Sequence, residues 1–499
     1  MKQLTLLFTL CLVLLASCRQ AEVPTQYTDS SQLPKMYPDY VDVTIPINIA
    51  PLSMELCQQA QDVVVRYAAG GEEIVCGGKK AMPAIDEWKD LTSKAADGDI
   101  TVEVFSKNDD KWTRFKPFAI HVSKDSIDPY ISYRLIAPSY VTYEELTINQ
   151  RCLENYDESV IYNNMLLSVE TEGQCINCHN YQAYNPNRMQ FHARQNHGGT
   201  VVAYDGKVKK VNMKNDSILS AGVYPAWHPW LKLIAYSTNK TMQSFHTRDI
   251  NKIEVLDSQS DLIVYDVDKN EVTNIENDST EFECYPTWSP DGKWLYYVSA
   301  HFEFRDTIPH EAECIKRSKE IKYSIYRKSF NPETMQFGPR EMVFDAASLG
   351  KSATLPRISP DGKYLMFAMG EWGCFHIWHR DADLYMLRLA DNKVWPLTKT
   401  NSPQAESFHN FSSNGKWIIF SSRRNDGDYT RLFFAHVDAD GNTTKAFELP
   451  QQDPDFHRMF MKSYNIPEFM SGPVTIKPQE FADVLRNDNI EPVKYRSKK

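Results

Sequence analysis

Five consecutive residues in the middle of the chain carry the most specific chemistry in the sequence. They are Cys175-Ile176-Asn177-Cys178-His179, two cysteines three apart with a histidine directly after the second. Thiols at this spacing can form thioether bonds to the two vinyl groups of one porphyrin, and the adjacent imidazole can then bind the iron as its axial ligand. The motif therefore predicts covalently attached haem c, with Cys175, Cys178 and His179 as its cofactor-binding residues.

The sixth ligand of such an iron would come from residues shortly after the motif. We expect His192 in this role, and Met189 and His197 are the alternatives. A thioether ligand raises the redox potential of a haem and an imidazole lowers it, so the choice sets the chemistry. The same two cysteines also suit a redox pair, half of a zinc site or a structural disulfide.

The first residues predict export and a lipid anchor. Lys2 precedes an apolar run that ends in Leu15-Ala16-Ser17-Cys18, a pattern typical of a secretory signal peptide over residues 1–17. The last four residues resemble the lipobox of bacterial lipoproteins. That resemblance implies cleavage before Cys18, a lipidated Cys18 and anchorage by acyl chains. It predicts a periplasmic protein of a Gram-negative bacterium, and Arg19 favours the outer membrane.

Composition describes a folded protein that is rich in β structure. The chain has 499 residues, 12% of them aromatic, and a formal net charge of −10. An acidic body argues against nucleic acid as a partner. No later apolar run reaches the ~20 residues of a membrane span, so we expect the membrane to be reached through the lipid alone. Residues 18–40 are polar and contain proline, which predicts a flexible tether.

Short β-rich runs separated by turn signals follow the tether. They include Asp62–Tyr67, Ile100–Phe105, Phe118–Val122 and Ile131–Ile136. This spacing predicts an immunoglobulin-like sandwich over residues 41–140. Residues 141–199, which hold the cysteine motif, show little regular pattern and are predicted to be an irregular linker.

Four later segments share one pattern, a short strand, a turn and a strongly apolar strand. Second hairpins lie between them, and Ser289-Pro290-Asp291-Gly292 and Ser359-Pro360-Asp361-Gly362 are turns in which proline fixes φ and glycine accepts a positive φ. Two hairpins per repeat predict a four-stranded blade of a β-propeller. The four segments are Val223–Asn239, Cys284–Ala300, Leu355–Gly370 and His409–Ser422.

These repeats resemble the TolB-type propeller repeat. The resemblance implies an all-β propeller of five or six blades over residues 200–475, in which strands at 200–213 and 456–469 complete one blade and close the ring. Residues 476–499 are then a C-terminal tail. The propeller fold occurs in proteins of many different functions, so the resemblance does not imply the partners of TolB.

The sequence does not support the commonest enzyme motifs. Gly350-Lys351-Ser352 lacks the first glycine of a phosphate loop, and no GxSxG elbow is present. Among the other cysteines, Cys57 and Cys76 are the first candidates for a disulfide, while Cys284 and Cys374 are equally consistent with buried thiols.

The combined prediction is a membrane-anchored periplasmic c-type haem protein. Its propeller would be a platform for protein partners, and its process would be electron transfer, haem sensing or a cytochrome-associated step. The alternative is a non-haem scaffold of the cell envelope in which the two cysteines form a disulfide or a zinc clip.

Overall fold

Strands account for almost half of the chain. The computed structural model describes residues 21–137, 145–169, 172–305 and 307–497, with 48% strand and 9% helix, so the predicted all-β class is confirmed. The predicted signal peptide and Cys18 lie outside the described residues. The described chain divides into two units. Unit 1 runs to Ser126 and includes Pro450–Met459, and unit 2 holds Ile127–Leu449 and the residues from Phe460 onward.

Unit 1 contains ten described strands and two helices, one of which is a single turn. The strands are β1 (Thr28–Asp29), β2 (Met36–Tyr37), β3 (Thr44–Pro46), β4 (Met54–Leu56), β5 (Asp62–Ala69), β6 (Glu72–Gly77), β7 (Lys80–Ala81), β8 (Gly98–Asn108), β9 (Lys111–Arg114) and β10 (Phe118–Ser123). One sheet has the order β1-β9-β8-β10-β3, with β5 paired to β6 and β8, and a second has the order β2-β4-β7. Helix α1 (Ile85–Lys94) buries Trp88 edge-on against Tyr67, and a one-turn helix covers Phe456–Met459.

The predicted strands at 62–67, 100–105 and 118–122 are confirmed in unit 1. The immunoglobulin-like topology stays a prediction. The unit ends at Ser126, whereas the sequence predicts a boundary near residue 140, because the strand predicted at 131–136 pairs within unit 2. Cys57 and Cys76 are both thiols, so the expected disulfide between them is not formed.

Unit 2 contains 25 described strands. They are β11 (Tyr130–Ile136), β12 (Thr147–Cys152), β13 (Glu158–Asn163), β14 (Gln174–Tyr181), β15 (Arg188–Gln195), β16 (Gly199–Tyr204), β17 (Lys207–Val211), β18 (Val223–Trp227), β19 (Leu233–Phe245), β20 (Ile253–Asp266), β21 (Glu271–Glu276), β22 (Glu281–Trp288), β23 (Trp294–His301), β24 (Ser324–Asn331), β25 (Gln336–Phe344), β26 (Ser352–Ile358), β27 (Tyr364–Gly370), β28 (Asp383–Arg388), β29 (Lys393–Pro396), β30 (Glu406–Phe411), β31 (Trp417–Ser422), β32 (Arg431–His436), β33 (Phe447–Glu448), β34 (Ser463–Met470) and β35 (Lys494–Tyr495). Helices α2 (His310–Lys316) and α3 (Pro478–Leu485) are the regular α-helices of its described residues.

Of the 25 described strands of unit 2, 24 form six groups of four, and the remaining strand, β35, pairs with β21. Five groups are antiparallel meanders, β14–β17, β18–β21, β22–β25, β26–β29 and β30–β33, and β20 and β22 are joined by a single pair, Ser260 with Phe282. The sixth group takes three strands from the start of the unit and one from its end, in the order β13-β12-β11-β34. Tyr130 lies opposite Met470 there, so the two ends of the unit share one sheet. All four predicted repeat segments and their second hairpins are present.

The prediction of an irregular linker over 141–199 is wrong. Strands β12 to β15 occupy most of its described residues. Strand β16 pairs with β15 and β17 pairs with β16, so the strands at 200–213 belong to the sheet of β14 and β15 and not to the sheet that contains the C-terminal strand β34. These strands bury polar side chains such as Gln150, Gln174 and Gln190, which hides the apolar alternation that identifies a strand.

The predicted tail at 476–499 is also wrong. Helix α3 buries Phe481 and Leu485 in a core shared with β12, β14 and β15, and β35 pairs in parallel with β21. The two Ser-Pro-Asp-Gly turns form as predicted, with Gly292 at φ 59° and Gly362 at φ 70°. Burial of apolar side chains between successive groups supplies the cores of the unit.

Candidate functional site

Six strands of unit 2, one from each group, share a backbone irregularity. We name β14, β18, β22, β26, β30 and β34 the lining strands. Each shifts register against its neighbour at a residue with left-handed backbone, a β-bulge that costs of order 1 kcal/mol for a residue other than glycine. The bulge residues are Cys178 (φ 58°), Tyr224 (49°), Tyr285 (53°), Leu355 (57°), Phe408 (43°) and Ile466 (52°).

The cysteine motif is part of this series. Cys178 is the bulge residue of β14, and the residue after each bulge residue is either histidine or proline. His179-Asn180-Tyr181 on β14 matches His409-Asn410-Phe411 on β30 residue by residue in type. Sequence reasoning missed this repeat, although the shared His-Asn-aromatic triplet was the signal that identifies it. The histidine of the motif therefore has a structural counterpart elsewhere in the fold.

The three motif side chains lie in different surroundings. Cys175 is half-buried, whereas Cys178 and His179 are 2% and 1% exposed. Burial raises the pKa of the Cys178 thiol. Burial, followed by the charge of Arg134, lowers the pKa of His179 to about 3, so its imidazole is neutral. Neither ring nitrogen of His179 has a hydrogen-bond partner of normal geometry in the described residues.

Three spaces follow one another along the lining strands. On β14, β18, β30 and β34, residues up to the bulge border a cavity of about 490 Å³, which we name the arginine cavity because Arg134 and Arg194 line it. The bulge residues close around a space of about 30 Å³, the waist. The last residues border a second cavity of about 250 Å³, the proline cavity, lined by Pro225, Pro290 and Pro360 among others. Along β14, β18, β30 and β34, the order of the lining residues places the two cavities at opposite ends of the same strands.

The proline cavity contains a buried ion pair beside aromatic walls. Glu468 accepts a hydrogen bond from Asn180 at 3.1 Å, and Arg357 lies 3.8 Å from the same carboxylate oxygen. Burial raises the pKa of Glu468. Trp227 and Trp288 line the same space. This cavity therefore pairs a flat apolar wall with one hydrogen-bonded carboxyl group.

The motif residues do not fit a haem c in this arrangement. Attachment requires both thiols and the imidazole to face one porphyrin-sized space. Cys175 borders the arginine cavity, while Cys178 and His179 border the waist, which has room for about one water molecule.

The predicted distal ligands are also separated. His192 lies opposite Asn177, lines the arginine cavity and contacts Thr200 Oγ1 at 3.1 Å. Met189 is fully buried in the core opposite Tyr181. His197 contacts Asp488 at 2.8 Å. Across the described residues, no three His, Cys, Asp or Glu side chains converge as a metal site would require, so a zinc clip at the motif lacks further ligands.

A second cluster of reactive side chains was not predicted. Asp257 is buried, accepts hydrogen bonds from Asn239 at 2.7 Å and Thr241 at 2.8 Å, and has the thiols of Cys284 and Cys374 at 3.5 and 3.8 Å. The two cysteines are 90 residues apart in sequence, so no local pattern joins them. Burial raises the pKa of Asp257.

Comparisons with known proteins find solved structures of low sequence identity and low overall similarity. No family model and no curated protein matches the chain. Solved structures that are similar include one from a study of two prolyl endopeptidases (11% identity, 64% of this chain, 40% of that chain, TM-score 0.35) and prolyl oligopeptidase B from Galerina marginata (10%, 70%, 41%, 0.35). An ancestral GH74 enzyme is a third (11%, 64%, 38%, 0.34). The chain spans about two fifths of the length of these proteins, whose folds are of β-propeller type.

The described part of the chain contains no helix long and apolar enough to cross a membrane. Any role for Cys18 as a lipid attachment point concerns residues that the structure does not describe.

Proposed function

We propose that unit 2 is a six-bladed β-propeller that works as a recognition module, with its ligand held in the arginine cavity. Each group of four strands is one blade in this proposal, and the lining strands are the inner strands around the axis. In this proposal the pairing of β34 with β11 closes the ring, since it joins a strand from the C-terminal part of the unit to the first three strands of the unit. Six blades is the larger of the two counts predicted from the sequence, which shows four clear repeats and one blade shared by the two ends.

The observation that carries the proposal is the pair of cavities at the two ends of the lining strands. A concave space of about 490 Å³ has the size of a small-molecule site. Polar side chains from several blades converge on it, among them Asn177, Asn239 and Asn465. The Oδ1 atoms of these three asparagines have no hydrogen-bond partner in the described residues. Buried polar atoms without partners cost free energy, which a polar ligand or ordered water would offset.

Protein partners on the face of the propeller remain part of the proposal. The long β19–β20 hairpin and the insertion that contains α2 expose apolar side chains, with Phe245 at 51%, Ile250 at 58% and Ile315 at 50%. Insertions of this kind are where repeat scaffolds usually contact other molecules. These surfaces fit the predicted role of an interaction platform.

A lipid anchor at Cys18 in the periplasm, on the outer membrane, is likewise proposed from the sequence. It is tested by replacing Cys18 with serine and fractionating cells that express either form. Release of the C18S chain from the membrane fraction supports the anchor, and unchanged membrane association contradicts it.

Ligand binding is tested by thermal unfolding of the purified full chain against a set of small molecules that differ in charge. The cavity is filled in one variant, Ala221→Trp, because Ala221 lies on the wall of the arginine cavity outside the strands. Ala390→Trp is the matched control, since Ala390 is exposed in a turn and does not line the arginine cavity. We expect compounds that stabilise the wild type and the control to fail with A221W. Identical responses of all three proteins would overturn the proposal.

A further inference from the structure

We propose that the ligand of the arginine cavity is a small molecule that carries an oxyanion group, a carboxylate or a phosphate. The inference rests on the proposed function and assigns its ligand class. It stands on the charge and position of two arginines and on the absence of carboxylates from the described lining of the cavity.

The two arginines approach one stretch of the motif strand from both sides. Arg134 on β11 donates from Nη1 to the carbonyl oxygen of Ile176 at 3.1 Å, and its side chain is buried. Arg194 on β15 lies directly opposite Cys175 in the antiparallel register. Both arginines therefore line the cavity next to residues 175–177 of β14.

Among the described residues, no carboxylate forms an ion pair with the buried guanidinium of Arg134. One of its N–H groups is used by a carbonyl oxygen, which carries no full charge, and its Nε has no acceptor among the described residues. A buried guanidinium without a counter-ion is costly, because desolvation of a charge is only offset by an opposite charge or strong hydrogen bonds. A bound oxyanion supplies both, and guanidinium binds carboxylate and phosphate through paired hydrogen bonds.

The other described lining residues carry no negative charge that would neutralise the two arginines. None of the described residues that line the arginine cavity is an aspartate or a glutamate. Glu172 and Asp488 lie on an adjoining groove that Arg194 also borders, and Asp488 is already paired with Lys210 at 2.7 Å. Asp257 is not among the lining residues, and its two carboxylate oxygens accept hydrogen bonds from Asn239 and Thr241, which are. In a chain with a net charge of −10, this cavity is a local cationic site.

The neutral polar residues define what else the ligand offers. Asn177, Asn239, Thr241, Gln243 and Asn465 line the walls, and His192 adds an imidazole that is neutral because burial lowers its pKa to about 3. These groups suit hydroxyl, amine or amide groups on the ligand rather than a second strong charge. A hydroxy acid, an amino acid or a sugar phosphate has this chemistry and a compatible size.

The test uses the purified full chain and two probes, inorganic phosphate and lactate, titrated by calorimetry at constant ionic strength set with sodium chloride. Arg194→Gln removes an exposed cation without disturbing the core, and Arg134→Lys keeps the charge but loses the paired hydrogen bonds. Arg188→Gln is the matched control, since Arg188 lies on the same strand as Arg194 but borders neither cavity. We expect at least tenfold weaker binding of either probe to R194Q and R134K, and a change of less than twofold in R188Q.

Equal binding by all four proteins, or no binding by the wild type, would overturn the oxyanion assignment. The outcome also separates the two proposals. Neutral or cationic compounds that stabilise the wild type but not A221W would leave the recognition module intact while the oxyanion class fails. If no compound of any charge distinguishes A221W from A390W, both fail.

Discussion

Cys178 on β14 and Tyr224 on β18 occupy equivalent positions at the β-bulges of their strands. Both residues have left-handed backbone, with φ of 58° and 49°, and both stand at the register shift of a lining strand. Because four other strands repeat the feature, Cys178 and His179 of the Cys-x-x-Cys-His motif occupy a repeated structural position. The second cysteine and the histidine of a haem-attachment pattern thus lie at the β-bulge of a lining strand.

The first prediction concerns haem. Expressed with its own signal peptide in cells that have haem-attachment machinery, the chain should carry no covalent haem, because Cys175 and Cys178 border different spaces. Pyridine haemochrome absorbance and intact mass measure this directly. A mass increase of one haem that disappears in Cys178→Ser would show that the motif works as the sequence predicts.

The second prediction concerns the position of His179. Proline follows the bulge residue in four of the six lining strands, at Pro225, Pro286, Pro356 and Pro467. His179 is likewise skipped by the pairing between β14 and β15, which passes from Asn177 to Asn180. His179→Pro should therefore change the free energy of unfolding by less than about 1 kcal/mol, unlike proline at a paired strand position.

Ala193→Pro is the control for that measurement. Ala193 lies in the central strand β15 and pairs with both Ile176 and Gly199, so proline there should cost about 3 kcal/mol or more. Urea unfolding of both variants compares the two costs. If His179→Pro is as destabilising as Ala193→Pro, the equivalence of the six strands is wrong.

The third prediction is a pH dependence from Glu283. Burial, then the nearby carboxylates of Asp261 and Glu276, raise the pKa of Glu283 to about 9 from an ordinary value of 4.5. Between these values the folded state keeps a proton that the unfolded state has lost. The free energy of unfolding that Glu283 contributes should therefore be full below pH 4.5, fall as the pH rises through this window and level off above pH 9.

Glu283→Gln removes the titrating group while keeping its shape. The variant should match the wild type near pH 5 and exceed it in thermal stability near pH 9, with Glu333→Gln as a surface control. A constant difference between variant and wild type at all pH values would contradict the prediction.

The fourth prediction concerns the C-terminal helix. Phe481 of α3 is fully buried, with ring centroids 5.4 Å from Phe191 and 6.3 Å from Tyr162. Phe481→Ala should destabilise the protein by about 3–5 kcal/mol, since it removes a large buried ring and leaves a cavity. Gln479→Ala, at an exposed site of the same helix, should cost less than about 0.5 kcal/mol. Equal and small effects in chemical denaturation would mean that α3 is not part of the core.

The local pattern of residues determined the repeat hairpins from β18 to β33. Alternating apolar residues and Ser-Pro-Asp-Gly turns act over a few residues, so each hairpin is specified by its own segment. The strands from β12 to β15 escaped this reasoning because the side chains that face the cavities, such as Asn177 and His192, are polar. Their burial beside a cavity is a property of the assembled unit and leaves no apolar alternation in the sequence.

Local patterns of residues specify the all-β class, the turns and the chemistry that is available to each side chain. Tertiary structure alone decided which of these groups meet. It joined Tyr130 to Met470, brought Cys284 and Cys374 to one carboxylate, and separated Cys175 from His179 into two different spaces. The physical reason is that pairing across hundreds of residues depends on the register and bulges of whole strands, which short-range spacing does not encode.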